Sequence, residues 1–148
     1  MTNFSHAIST YQITYQSAMV AINAAIDKAT VLDINVSIAI VGSNTQLVSF
    51  VHMQNAFQLS SDLAQKKARC TANLGFSPDV IEQVLATEKP RVSVGLMSHP
   101  DFTEIRGGLP LYENGVLIGA IGVSGGTETQ DVECAEAGLN KLKLAQQP

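Results

Sequence analysis

Three histidines, His6, His52 and His99, are the first residues whose chemistry bears on function. None lies within four residues of another, so spacing alone builds no local metal chelate. A neutral imidazole is nevertheless a good axial ligand for haem iron. His52 is the best placed, because it closes a predicted strand and is followed by Met53, a second residue type that serves as an axial ligand. The plainer reading of each is an ordinary hydrogen-bonded or surface histidine.

Glycines form the second group. Gly107 and Gly108 precede a predicted strand, Gly119 and Gly122 lie inside the next, and Ser124-Gly125-Gly126 follows it. Glycine inside a strand is costly unless something approaches the backbone closely. Two readings stay open: a helix packed tightly on the sheet, or a flat ligand lying against it. In the second, the amides of Ser124, Gly125 and Gly126 at a helix N-terminus suit a carboxylate or phosphate. No Lys-Ser/Thr follows and G-x-G-x-x-G is not met, so neither nucleotide fingerprint applies.

Charged residues add little. Asp131, Glu133 and Glu136 fall in the last predicted helix, where Asp131 favours the helix dipole and the glutamates share a face. Lys67, beside Lys66, suits the neutralisation of an anionic ligand or simply a solvated face. No Ser-His-Asp set or G-x-S-x-G elbow is present. No catalytic residue emerges.

The elements that must position these residues are legible in part. Residues 11–31 read as a helix with a small-residue stripe, and residues 36–41 and 46–52 as two strands joined by a tight turn. Such strands pair antiparallel, which argues against a dinucleotide fold. A helix begins at Ser60 or Ser61 and ends at Gly75; Ser77-Pro78-Asp79 opens a short second one. Residues 91–102 are ambiguous, with Val92 and Val94 alternating as in a strand until Pro100. Asn114-Gly115 between apolar runs marks a hairpin. Thr127 with Gln130 resembles a capping box for the last helix.

Composition sets the frame. The chain has 148 residues, 45% hydrophobic and only 15% charged, which predicts one α+β domain with a rather apolar surface and hence a homo-oligomer. A net charge of −4 argues against nucleic acid. Cys70 and Cys134 are too far apart for a zinc or redox motif and read as buried thiols. The longest apolar runs are too short to span a bilayer, and no basic segment leads into an apolar one. The expectation is a cytoplasmic protein with no membrane partner.

The stretch GGLPLYENGVLIGAIGVSGGT, residues 107–127, continuing through Asp131 and Cys134-Ala-Glu-Ala-Gly138, resembles the GlcG/HbpS family. This is the "haem-degrading" domain also found as the C-terminal half of PduO-type corrinoid adenosyltransferases. Ser37-Ile-Ala-Ile-Val41, Met53 with Ala56, and Lys67-Ala68 with Thr71-Ala72 extend the resemblance over nearly the whole chain. It implies a profilin- or PAS-like antiparallel sheet flanked by helices, homo-oligomers, and binding of haem or a related tetrapyrrole. On that basis His52 is expected as axial ligand, with Lys67 and the Ser124-Gly125-Gly126 amides holding propionates. Gly119 and Gly122 are expected to make room for the ring. The alternatives are an accessory protein or enzyme of glycolate, diol or corrinoid metabolism that binds a small carboxylate or a corrinoid, and a structural oligomer without a ligand. The chain departs from the family pattern at Gly42-Ser43, at His52-Met53-Gln54-Asn55 and at Arg106.

Overall fold

β1 (Ser37–Gly42) is buried along its whole length, and its side chains alternate between two faces. Ile38 and Ile40 enter one apolar cluster, Ala39 and Val41 another. The computed structural model, which describes residues 2–148, builds the rest around that strand. β1 lies between β2 (Leu47–His52) and β4 (Val116–Ser124), and β3 (Gly108–Glu113) completes a sheet of order β2-β1-β4-β3. Every pairing is antiparallel.

α1 (Tyr15–Val31) and α5 (Glu128–Lys141) cover the face of Ile38 and Ile40, presenting Ala18, Ala21, Ala25, Cys134 and Ala135. α2 (Gln58–Leu74) covers the other face through Ala64, Ala68 and Ala72. α3 (Pro78–Leu85) and α4 (Pro90–Met97) link α2 to β3. The predicted antiparallel sheet flanked by helices is the architecture observed. No helix among the described residues is long and apolar enough to cross a membrane.

Local signals explain several boundaries. Asn114 and Gly115 have φ of 51° and 78°, the two positive angles that a type I′ hairpin turn needs. At the start of α5 the Thr127 hydroxyl accepts from the Gln130 amide, and the Gln130 side chain accepts from the Thr127 amide, which completes the capping box. Gly75 ends α2 at φ 73°.

Two expectations are corrected and one ambiguity is resolved. α1 starts at Tyr15 rather than at residue 11, because the Ile13 amide donates to the Ile118 carbonyl at 2.8 Å and Thr14 then caps the helix. α2 starts at Gln58, so Ser60 and Ser61 lie within its first turns instead of capping it. Residues 90–97 form α4 despite the alternation of Val92 and Val94. None of its residues is buried, and an exposed segment with no neighbouring strand satisfies its own amides best as a helix, with Pro90 at the first position where its missing N–H costs nothing.

Candidate functional site

Register brings His52 to the first turns of α2. Ser37 of β1 pairs with His52 of β2, and two residues along, Ala39 and Phe50 face the α2 side. The period of two therefore points Ser37 and His52 to that face, where Ser60 and Ser61 arrive. His52 Nδ1 lies 2.6 Å from Ser37 Oγ and 2.9 Å from Ser61 Oγ, and Ser37 Oγ lies 2.8 Å from Ser60 Oγ. The Ser60 hydroxyl donates to the Phe57 carbonyl.

One order of donors accounts for these contacts. Each hydroxyl has one proton, and that of Ser60 goes to Phe57. One proton order consistent with these contacts has Ser37 donating to Ser60, and Nδ1–H donating to Ser37 and Ser61, which both accept. This tautomer leaves the Nε2 lone pair unprotonated, and no described residue bonds Nε2. An imidazole whose far nitrogen donates to a fixed acceptor is oriented as metal-ligating histidines usually are. Ser37 is fully buried, Ser60 nearly so, and His52 is exposed, so the chain of bonds runs from the interior to the surface.

Met53, the other residue expected at this strand end, turns toward the opposite face of the sheet. Its sulfur accepts the Val36 amide at 3.5 Å, and its side chain packs against the larger apolar cluster.

Lys67 and the glycine loop form a different centre. Lys67 is 1% exposed; its Nζ lies 2.9 Å from Asp131 Oδ2 and donates to the Val123 carbonyl at 2.8 Å. Asp131, 3% exposed, accepts the Gly126 amide on Oδ1 at 2.9 Å. Burial pushes the Asp131 carboxyl above its ordinary value, while Lys67 and the amides of Gly126 and Gly125 pull it back. The loop does hold a carboxylate, as the sequence suggested, but it is the chain's own. Ser124 itself is buried. Lys67 and the Gly126 amide are thus both engaged by Asp131 within the chain.

The strand glycines are likewise occupied. A Cβ on Gly122 would strike the Ala64 carbonyl and come within 2.6 Å of the Ala68 nitrogen; one on Gly108 would strike Thr71 Oγ1 and lie 2.8 Å from the Lys67 carbonyl. Ala39, Gly122 and Gly108 are cross-strand neighbours, and the α2 backbone lies directly on that row. Gly119 faces Val41 and Ile13, and Gly107, at φ 126°, leaves the path that Lys67 follows to Asp131. The room expected for a flat ring is filled by protein.

Elsewhere, two cavities of about 500 Å³ each open beside α4, one walled by Cys70 and Leu96, the other by Met97 and Arg106. Neither is lined by His52. Among the described residues no group of three or more His, Cys, Asp or Glu gathers to hold a metal ion. Cys134 is fully buried and its thiol is pushed up to about 11, chiefly by burial; burial raises Cys70 too. Both should resist a thiol reagent at pH 8 in the folded chain and react at once in denaturant. Labelling of either thiol at the denatured rate would contradict this burial.

Fold and site together define a small sheet-and-helix domain with one oriented, outward imidazole. Residues 13–140 match the family model described as haem degrading protein HbpS-like, and the chain belongs to that family. It is 32% identical over 135 residues to the corrinoid adenosyltransferase PduO of Citrobacter freundii, covering 89% of this chain. The chain spans about two-fifths of the length of that relative, 39%. The crystal structure of Klebsiella pneumoniae protein ORFY superposes with a TM-score of 0.87 at 26% identity, covering 96% of this chain and 98% of that one. A PduOC–heme complex gives a TM-score of 0.84 at 23% identity over 93% and 99% of the two chains.

Proposed function

We propose that this chain binds haem or a related tetrapyrrole, with His52 Nε2 as the axial ligand to the metal. The observation that carries the reading is the chain of hydrogen bonds from Nδ1 through Ser37 and Ser60 to the Phe57 carbonyl. It engages Nδ1 and leaves the other nitrogen of this exposed ring without a partner among the described residues. Phe57 and Leu59, 73% and 64% exposed in the turn where that chain of bonds ends, supply apolar surface for the face of a macrocycle. The likeness to a PduOC–heme complex supports the same ligand class. Bound haem would supply redox and oxygen chemistry; the protein's part is to hold the imidazole and shield one face. A second copy of the chain would cover the other face, in keeping with the apolar surface.

A corrinoid is the second reading, favoured by the PduO relative; the same nitrogen suits its cobalt. The glycine loop offers no comparable seat for a small carboxylate, since Asp131 fills it.

The test is titration of the purified protein with hemin and, separately, hydroxocobalamin. Hemin should give a sharp, saturable Soret band at one equivalent per chain or per dimer. His52→Ala should weaken binding at least tenfold and shift the band, while Ser37→Ala should alter the band with smaller loss of affinity. An unsaturable shift, or an unchanged spectrum in His52→Ala, would remove the assignment.

A further inference from the structure

The cavity between α2 and α4 has features of its own. Its volume, about 500 Å³, falls within the roughly 300–1,000 Å³ typical of small-molecule sites. Leu74, Leu96, Phe102 and the Cys70 thiol give it apolar walls, and Asn73, His99 and Asp101 are its polar lining residues.

Those polar groups have fixed roles. The Asp101 backbone amide donates to His99 Nδ1 at 3.1 Å. In the neutral ring the proton therefore sits on Nε2, which makes His99 a donor. Asp101 Oδ1 accepts from Arg69 Nε at 2.8 Å in a half-buried pair. The ion pair offsets the carboxylate charge and leaves Oδ2 without a partner among the described residues. His99 thus brings a donor, and Asp101 a charge-offset acceptor, to the lining of one cavity. A carboxylate ligand would meet the Asp101 carboxylate, and an ammonium would meet Arg69 and the His99 N–H. A hydroxyl accepts from the one and donates to the other.

We propose that this cavity is a binding site for an uncharged, largely apolar alcohol, its hydroxyl held between His99 Nε2 and Asp101. The site is separate from His52, which stands at the opposite end of β2 from Thr45 on the cavity rim. It stands or falls independently of tetrapyrrole binding.

Benzyl alcohol is a suitable probe, with toluene and benzoate as comparators. The ¹⁵N-labelled chain should show saturable amide shifts at Asn73, at residues 95–99 and at Asp101 and Phe102 with benzyl alcohol. Toluene and benzoate should bind at least tenfold more weakly, because a site built for a hydroxyl penalises its absence. His99→Phe should remove the preference for the alcohol over toluene, and Asn73→Ala should reduce affinity without changing the fold. His52→Ala should leave all of this unchanged. Scattered unsaturable shifts, equal binding of toluene, or a preference for alcohol that survives in His99→Phe would overturn the proposal.

Discussion

Replacing Asp131 with alanine is expected to destabilise the fold by about 3–5 kcal/mol, the usual cost of leaving one partner of a buried ion pair uncompensated. The melting temperature should fall by roughly 6–20 °C, at the 2–4 °C per kcal/mol typical of this chain length. Lys67 would remain 1% exposed with only the Val123 carbonyl as partner, and the Gly126 amide would lose its acceptor. The pair joins α2, on one face of the sheet, to α5 on the other, so its loss loosens both layers at once. Lys67→Met leaves the carboxylate buried instead, and here pH separates the two cases. Burial pushes the Asp131 carboxyl above its unfolded value. A group shifted that way favours folding below its unfolded pKa and loses that contribution as pH rises through the folded one. Without Lys67 the shift grows. Lys67→Met should therefore recover stability relative to the parent chain between pH 7.5 and 4.5, whereas Asp131→Ala should not. Replacing both residues by apolar ones should cost less than either single change. Denaturant melts of the variants at both pH values give the answer, and an Asp131→Ala chain within 1 kcal/mol of the parent would show that the pair contributes little.

The legible part of this chain was written in short-range rules. Asn114-Gly115, Thr127 with Gln130, and Gly75 each satisfy a local geometric need that no distant contact overrides, and each stands where its residue type requires. The His52 end of β2 was legible as a strand terminus. Its serine partners were not, because Ser37 and Ser61 meet it, and Ser60 meets Ser37, only through strand register and the angle at which α2 enters. Asp131 was read as a dipole residue for the same reason. Its partner Lys67 is 64 positions away, and nothing local marks either as buried. Glycine spacing showed that something approaches the sheet closely, yet spacing is equally consistent with a ligand and with a helix backbone. Only the burial of Ala64 and Ala68 over Gly122 decides between them.

That decision carries the second large effect. Gly122→Ala is expected to destabilise the fold by about 3 kcal/mol or more, at the upper end of the overpacking range. The added methyl would fall on the Ala64 carbonyl, 2.6 Å from the Ala68 nitrogen and 3.1 Å from the Ala68 Cβ. The first two are backbone atoms in the middle of a helix, and no rotamer change moves them aside. α2 would have to lift from the sheet, separating Ala64, Ala68 and Ala72 from Ala39, Val41 and Ala120. Gly95 provides the matched control. It lies within α4, and a Cβ there meets nothing within 4 Å. Gly95→Ala should stabilise the chain by about 0.5–1 kcal/mol through the helix propensity of alanine. The same substitution thus changes sign between two glycines. The contrast isolates backbone contact as the cause, because the unfolded-chain contribution is nearly the same at both positions. If Gly122→Ala melts within 1 kcal/mol of the parent, α2 can move without loss and the surface beneath it is open to a ligand after all.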